Sequence, residues 1–428
     1  MTVLDPTSAR NEACAAKKRA DLLIVGAAQV LTCVPTSGDL VGCIENGSVA
    51  IASERIIAVG STAEVTSQVD TASAQIIDAA GKVVVPGFVD CHTHLVFGGS
   101  RVKEYAARMT RSAAEVKALG IPTGILATVA MTRAETLGRL VESAKQRLQQ
   151  MLRCGTTTVE SKSGYGLNLA EEIKMLEVNR VLQSTQPVDI VSTFLGAHDF
   201  PPDVSHERYI ETVINEMIPQ VAERRLAEFC DVYCDDGYYT VEESRRILDA
   251  GAKAGLRPKI HTDAYSNIGG ADLAASISAV SADHLNYTER PAMRRLAAAG
   301  VIGVVMPALD FAVQHPRPFD ARAMLSEGMT LALATDLCPG CWAEPMQFIM
   351  QLACRLYRFS PAEALLAATW GAAKALSLDG DRGTLEAGKF ADIQLWSIPT
   401  YEDVIYRLGH NAVQTVIKRG RIVVQQEA

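Results

Sequence analysis

Phe88-Val-Asp-Cys-His-Thr-His94 is the stretch on which the fold turns. It starts as a short apolar run and ends in two imidazoles. In extended backbone Asp90, His92 and His94 fall on one face, while Val89, Cys91 and Thr93 fall on the other. The run Gly87 to His94 is the first of eight of strand length. The others are Thr156 to Lys162, Asp189 to His198, Glu228 to Cys234, Arg257 to His261, Ala279 to His284, Val301 to Met306 and Thr330 to Asp336. Helix-like segments such as Leu169 to Gln183 and Val241 to Ala254 separate most of them, and this alternation predicts an α/β chain folded as a TIM (β/α)8 barrel. Six of the eight runs end in His94, Lys162, His198, His261, His284 or Asp336. The C-terminal strand ends are where such a barrel carries its chemistry. The longest connection, Leu95 to Gly155, has to hold extra helices.

Both ends of the chain are β-rich. Leu22 to Val25, Ser48 to Ala52, Ile56 to Val59 and Ile76 to Asp78 are punctuated by Gly47, Gly60 and Gly81. Ala391 to Trp396 and Val413 to Val424 follow the barrel, the latter broken by a turn at Arg419-Gly420. Neither end makes a domain alone, so the expectation is one small β domain from residues 20–84 and 376–428, wrapped around a barrel over 85–375.

Length and composition narrow the function classes. At about 150 residues per domain the 428 residues would make three domains, but a barrel absorbs about 250 by itself. The 41 basic and 49 acidic residues leave a net charge of −8 without a basic block, which speaks against nucleic acid as a partner. No apolar run approaches the roughly 18 residues needed to span a membrane. The first twenty residues include Asp5, Arg10, Asn11, Glu12, Lys17, Lys18 and Arg19 rather than a secretory leader, so a cytoplasmic location is expected. Ten cysteines are sparse in a chain this long. Cys91, Cys230 and Cys234 sit in apolar runs, which reads as reduced, buried thiols.

A bare His-x-His is as readily a packed pair as a ligand pair. Adding His261, His284 and Asp336 at other strand ends changes that, because all five would meet at one mouth. We assign His92, His94, His261 and Asp336 as ligands of one divalent metal ion. Imidazole and carboxylate without thiolate suit zinc first, with iron or manganese next. His284 is placed to orient or deprotonate water, with Asp336 as the other proton acceptor. Such a site suits hydrolysis of an amide or amidine. Two other patterns point elsewhere. Cys338-Pro-Gly-Cys341 has the Cys-x-x-Cys form and could be drawn with Cys230 and Cys234 as a four-thiolate site, but no thioredoxin-like context surrounds it. Lys162 could bridge two metals if carboxylated; an ion pair with Glu160 two residues away is the plainer reading.

Pro86-Gly-Phe-Val-Asp-Cys-His-Thr-His94, Ala334-Thr-Asp336 and Ala387-Gly-Lys-Phe-Ala-Asp-Ile393 resemble the metal-dependent amidohydrolase superfamily. Within it, the chain resembles the imidazolonepropionases, ring-opening enzymes of histidine breakdown. The matching segments are His94-Leu-Val-Phe-Gly-Gly-Ser-Arg101, Gly155-Thr-Thr-Thr-Val-Glu-Ser-Lys-Ser-Gly-Tyr-Gly166, Phe194-Leu-Gly-Ala-His198, Ser281-Ala-Asp-His284 and Tyr406-Arg-Leu-Gly409. The resemblance implies a TIM barrel with a small β-sandwich built from both termini, and one zinc or iron ion. It also implies water addition to 4-imidazolone-5-propanoate, giving N-formimidoyl-L-glutamate. By the same resemblance Arg101 would hold the carboxylate tail, Tyr165 and His198 would line the pocket with Cys338, Gly340 and Cys341 in the loop after the last strand, and the chain would form a homodimer. The Gly164 and Gly166 flanks suggest a turn that exposes Tyr165.

The departures from that pattern cluster on substrate contacts. Ala264 stands where the family carries Glu or Gln, Cys338 where it carries Asn, Cys341 where a hydroxyl is common, and Ala114 aligns with a pocket Tyr. The Gly-rich loop reads Gly120-Ile-Pro-Thr-Gly-Ile125. A second reading is therefore a relative that opens another carboxylate-bearing five-membered cyclic amide, of hydantoin or thio-imidazolone type. A third is a metal-binding relative without catalysis, which four intact ligands argue against.

Overall fold

The computed structural model describes residues 17–36 and 38–426; the N-terminal reading at Asp5 to Glu12 and the cysteine at position 14 lie outside the described residues. Eight parallel strands hydrogen-bond in sequence order: β1 (Phe88–Asp90), β2 (Thr156–Lys162), β3 (Asp189–Ala197), β4 (Phe229–Cys234), β5 (Arg257–Thr262), β6 (Ser281–His284), β7 (Ile302–Val305) and β8 (Leu331–Leu333). The ring closes where Thr93 pairs in parallel with Leu337. His94 N donates to Leu337 O (2.9 Å) and Asp336 N to His92 O (3.1 Å) across that seam. Asp90 ties it from the side chain, accepting from Thr335 N (3.1 Å) and Thr335 Oγ1 (2.6 Å).

The seam explains why β1 and β8 are shorter than their apolar runs. Beyond Asp90 the backbone bonds Leu337 on one side and, at Thr93 O, Lys162 N on the other (3.0 Å). Beyond Leu333 the chain enters Asp336 with a left-handed φ of +47°, which no regular strand accommodates.

Helices cover the barrel. Leu169–Thr185 starts where the Asn168 side chain accepts from Glu171 N (3.0 Å), and it buries Ile173, Met175, Leu176, Val178 and Leu182. Val241–Lys253 starts in a capping box of Thr240 and Glu243 and buries Ile247 and Leu248. Each such aliphatic side chain contributes about 1.5–3 kcal/mol by leaving water. The long first connection holds four helices, Val102–Arg108, Ala113–Ala118, Gly124–Ala134 and Leu137–Arg153. Among the described residues no helix is long and apolar enough to cross a membrane.

Both ends of the chain join in a second, eight-stranded sheet. Leu22–Leu31, Cys43–Ala52, Arg55–Ser61, Gln75–Asp78 and Val83–Pro86 come from one end, and Ile393–Trp396, Val413–Lys418 and Arg421–Gln425 from the other. Gly26, at φ +68°, lets the long strand Leu22–Leu31 bend. Its first half pairs with Gln75–Asp78 and its second with Val83–Pro86. The sheet thereby folds over Ile24, Val30, Val49, Ile51, Val84, Ile393, Leu395 and Ile417, making the small β-sandwich. Val83–Pro86, absent from the sequence reading, pairs with Ile393–Trp396 and runs directly into β1.

The sandwich grips the barrel base through charge. Asp189, first residue of β3, receives Arg382 Nη1 (2.7 Å), Lys418 Nζ (2.9 Å) and Arg419 Nη2 (3.3 Å). Lys418 also pairs with Asp392 (2.6 Å).

Candidate metal centre and active site

Alternate residues of the central strands face the barrel axis, so each strand delivers a column of side chains. Glu160 and Lys162 come from β2, Asp231 from β4, Lys259 and His261 from β5, and Asp283 from β6; all but His261 are completely buried. Lys162 Nζ lies 2.9 Å from Glu160, 2.8 Å from Asp231 and 3.6 Å from Asp283. Lys259 Nζ pairs with Glu160 (2.9 Å) and donates to Cys91 O (3.2 Å). Three carboxylates thus face two ammonium groups in a dry layer under the mouth. Although burial opposes it, the neighbouring His261 and Lys162 hold Asp231 well below the usual carboxylate range. The Glu160–Lys162 pair read from the sequence is present; the wider network of Asp231, Lys259 and Asp283 was not read.

Above this layer the histidines converge. The His92 ring centre is 4.5 Å from that of His261, 5.5 Å from His284 and 5.6 Å from His94. Nε2 of His92 and Nε2 of His94 each lie 3.7 Å from Asp336 Oδ1. Bonds of about 2.0–2.2 Å to one ion put neighbouring ligand atoms roughly 3.3–3.7 Å apart, so this spacing suits two ligand edges of a common ion. His92 Nδ1–H is accepted by Asp283 (2.6 Å), which turns Nε2 and its lone pair toward the cluster. His261 Nδ1 stands 3.1 Å from Asp231. Burial first, then neighbouring positive charge, drives His92, His94 and His284 well below the usual histidine range, so all three stay neutral and able to ligate.

Nε2 of His92, both ring nitrogens of His261 and Oδ1 of Asp336 are buried without a hydrogen-bond partner. Burying such groups unpaired costs about 1–3 kcal/mol each. Burial also pushes the Asp336 carboxyl well above its usual range, the opposite of what a divalent cation at that spot produces. The donor set therefore fits a metal ion. Among the described residues the groups able to hold one are His92 with His94 and Asp336, His92 with His261 and His284, and Asp231 with His261 and Asp283; none includes a cysteine. The backbone is strained here as well, with His284 at φ +83° and Leu285 at +65°, conformations that cost non-glycine residues of order 1–3 kcal/mol.

The flanking residues fall less uniformly. His198 stacks on His94 at 4.8 Å, and its Nδ1–H is accepted by Gly164 O (3.1 Å), which leaves Nε2 as an acceptor. Burial depresses its pKa to about 3. Tyr165 lies 5.4 Å from His94 and 5.3 Å from His198, ring centre to ring centre. Its turn exists, with Gly164 at φ +108°, but the expected exposure does not: Tyr165 is buried. The cause is Glu172, whose carboxylate accepts from the backbone N–H groups of Gly164 (2.9 Å), Gly166 (2.7 Å) and Leu167 (2.8 Å) and draws the loop inward.

Arg101 is already engaged. Its Nε and Nη2 donate to Glu104 (2.6 and 2.9 Å), leaving the Nη1 edge beside Gly340, where a Cβ would stand 3.6 Å away. Arg101, Gly340 and Cys341 line an outer cleft of about 450 Å³ with Tyr105, Phe311 and Trp342. Cys338 and Cys341 are free, buried thiols joined by reciprocal backbone bonds of 3.0 and 3.1 Å across a tight turn. Ala264 is buried and offers only a methyl, its carbonyl meeting His315 Nε2 at 2.9 Å. Ala114 is exposed.

Barrel, terminal sandwich and histidine–aspartate mouth together define an amidohydrolase. Two family profiles described as "Amidohydrolase family" match residues 235–423 and 75–120. Solved structures agree on the fold. An adenosine deaminase from Xanthomonas campestris with bound zinc superposes at TM-score 0.73 and 19% identity, covering 96% of this chain and 94% of that one. Atrazine chlorohydrolase from Arthrobacter aurescens TC1, complexed with zinc, does so at 0.69 and 18%, covering 94% and 95%.

Sequence relatives narrow the class. The imidazolonepropionase of Geobacillus kaustophilus is 46% identical over 390 residues, 90% of this chain and 91% of that protein. That of Symbiobacterium thermophilum is 43% identical over 417 residues, 95% and 98% of the two chains. The chain belongs to the imidazolonepropionase family.

Proposed function

We propose that this chain adds water to the ring amide of 4-imidazolone-5-propanoate and releases N-formimidoyl-L-glutamate, the ring-opening step of histidine breakdown. The observation that supports this most is the set of unpaired buried donors, His92 Nε2, His261 Nε2 and Asp336 Oδ1, in a chain of this family. His92, His94, His261 and Asp336 would hold one divalent ion, zinc before iron given imidazole and carboxylate donors. When bound, the ion supplies a Lewis acid that polarises the ring carbonyl and acidifies water.

The protein groups do the rest. His284, kept neutral by burial, accepts a proton from the attacking water and returns it to the ring nitrogen as the C–N bond breaks. Asp336 is the second acceptor at the same spot. His198 Nε2 accepts from a ring N–H, and the Tyr165 hydroxyl donates to a ring heteroatom. The Nη1 edge of Arg101 takes the carboxylate tail, with Gly340 leaving it room, while Glu104 fixes the rest of the fork. Cys338 and Cys341 close that side of the chamber. The same reading puts the protein in the cytoplasm as a homodimer, with the small domain at 20–84 and 376–428 and the barrel at 85–375.

The test is turnover of imidazolonepropionate generated in situ from urocanate, set beside hydantoin and thio-imidazolone analogues, with metal analysis of the same sample. We expect activity on the first with stoichiometric zinc. Ala264 and the Cys338–Cys341 turn favour one second reading, a different carboxylate-bearing cyclic amide, and activity confined to an analogue would establish it. Arg101→Gln should raise KM far more than it lowers kcat if the tail is a carboxylate.

A further inference from the structure

Buried tyrosines in this chain mostly give their hydroxyls away. Tyr209 donates to Gly196 O (2.8 Å), Tyr239 to Asp199 O (3.1 Å) and Tyr357 to Asp310 (2.8 Å). Tyr233 does not: among the described residues no protein group accepts from its hydroxyl, and although the residue is only 7% exposed that oxygen is not itself fully enclosed. A phenol whose ring is packed and whose hydroxyl is left accessible is free to donate to a bound molecule.

Its position in the strand sets it at the mouth. On β4, Phe229, Asp231 and Tyr233 form one inward column. Phe229 is at the bottom, under the Lys259 ammonium (5.3 Å from the ring centre). Asp231 is in the ion layer, and Tyr233 is one step higher, at the mouth. Tyr233 pairs in register with His261 across β4 and β5. Its ring centre lies 5.8 Å from His261, 6.2 Å from His198 and 6.3 Å from His284, and it is clamped from behind by stacking on Tyr238 at 4.0 Å. His198 therefore stands between two unpaired phenols, Tyr165 and Tyr233. On the β4–β5 side of the chamber Ala264 gives a methyl and no polar side chain.

We propose that Tyr233 is a substrate-positioning residue whose hydroxyl donates a hydrogen bond to a carbonyl or ring heteroatom of the bound cyclic amide, opposite Tyr165. This rests on the reading of the site as a cyclic-amide hydrolase. A neutral hydrogen bond of this kind is worth about 0.5–1.5 kcal/mol, roughly two- to tenfold in affinity, and more where the acceptor is left unpaired.

Tyr233→Phe keeps the ring and its stacking and removes only the hydroxyl. The probe is hydantoin-5-propionate, a stable five-membered cyclic amide, titrated calorimetrically into the metal-loaded wild type and variant. We expect the variant's Kd to rise about tenfold and its KM for whichever cyclic amide the wild type turns over to rise in parallel, with metal content and Tm unchanged. Equal Kd values, absence of binding by either protein, or loss of metal in the variant would each overturn the proposal. Turnover of imidazolonepropionate by the wild type, measured separately, decides the functional reading independently of that result.

Discussion

At the base of the barrel Asp189 collects three cations, and at the mouth Asp336 keeps an oxygen with no partner. Both carboxyls are largely enclosed, yet their environments act in opposite directions. Lys418 and Arg382 overcome burial at the base and hold Asp189 at about 2, whereas at the mouth burial prevails and lifts Asp336. The base has the economy of a structural joint, every charge answered by another in the same chain. The mouth gathers several unanswered polar atoms in one place, the arrangement expected where a bound group completes them.

The contrast can be broken most sharply at the mouth. Asp336→Asn should lower kcat/KM by about 10⁴-fold, of order 5 kcal/mol in transition-state stabilisation, while leaving the apo-protein's Tm unchanged or higher. Steady-state kinetics and calorimetry on one preparation check this; a matched loss of stability would make Asp336 structural like Asp189. The converse substitution, Asp189→Ala, should cost about 3–5 kcal/mol of stability by leaving Lys418 and Arg382 short of a partner. Denaturant unfolding reads it, with kcat per folded molecule unchanged.

Metal removal sharpens the comparison from a third side. Stripping the ion with a chelator should lower the wild-type Tm by about 3 °C, the size expected for a chain of this length if free metal exceeds its Kd about a hundredfold, and should not lower that of Asp336→Asn. The smallest effect is the pH response of the base. Asp189 ionises at about 2 when folded, against 3.8 ordinarily, so its stabilisation is complete above about pH 4 and disappears as pH falls toward 2. That limb amounts to about 2 kcal/mol, and Asp189→Asn should flatten it in acid-unfolding curves.

How far the sequence reveals this depends on where each partner lies along the chain. The strand-end histidines were legible because each closes an apolar run, and Glu160–Lys162 because the pair sits two residues apart. Asp231 and Asp283 were not, since an acid inside a strand run gives no local sign of a distant lysine, which for Asp231 is 69 residues away. Val83–Pro86 was missed because it runs into β1 with only Gly87 between them. The exposure predicted for Tyr165 failed through Glu172, a helix residue whose reach back to three loop amides no flanking glycine announces. Arg101 was found for its chemistry, and its prior engagement by Glu104 became visible only with the helix that brings the two together.

The seam of the barrel has a temporal meaning. His92 and His94 follow its first strand and Asp336 its last, so roughly 240 residues must be made and folded before those donors meet. Closing a free loop of that length would cost on the order of 5 kcal/mol in chain entropy, and the strand-by-strand pairing between them lowers that cost stepwise. During synthesis the nascent chain therefore carries His92 and His94 long before Asp336 can join them. The trio of His92, His94 and Asp336 is complete only once the ring has closed.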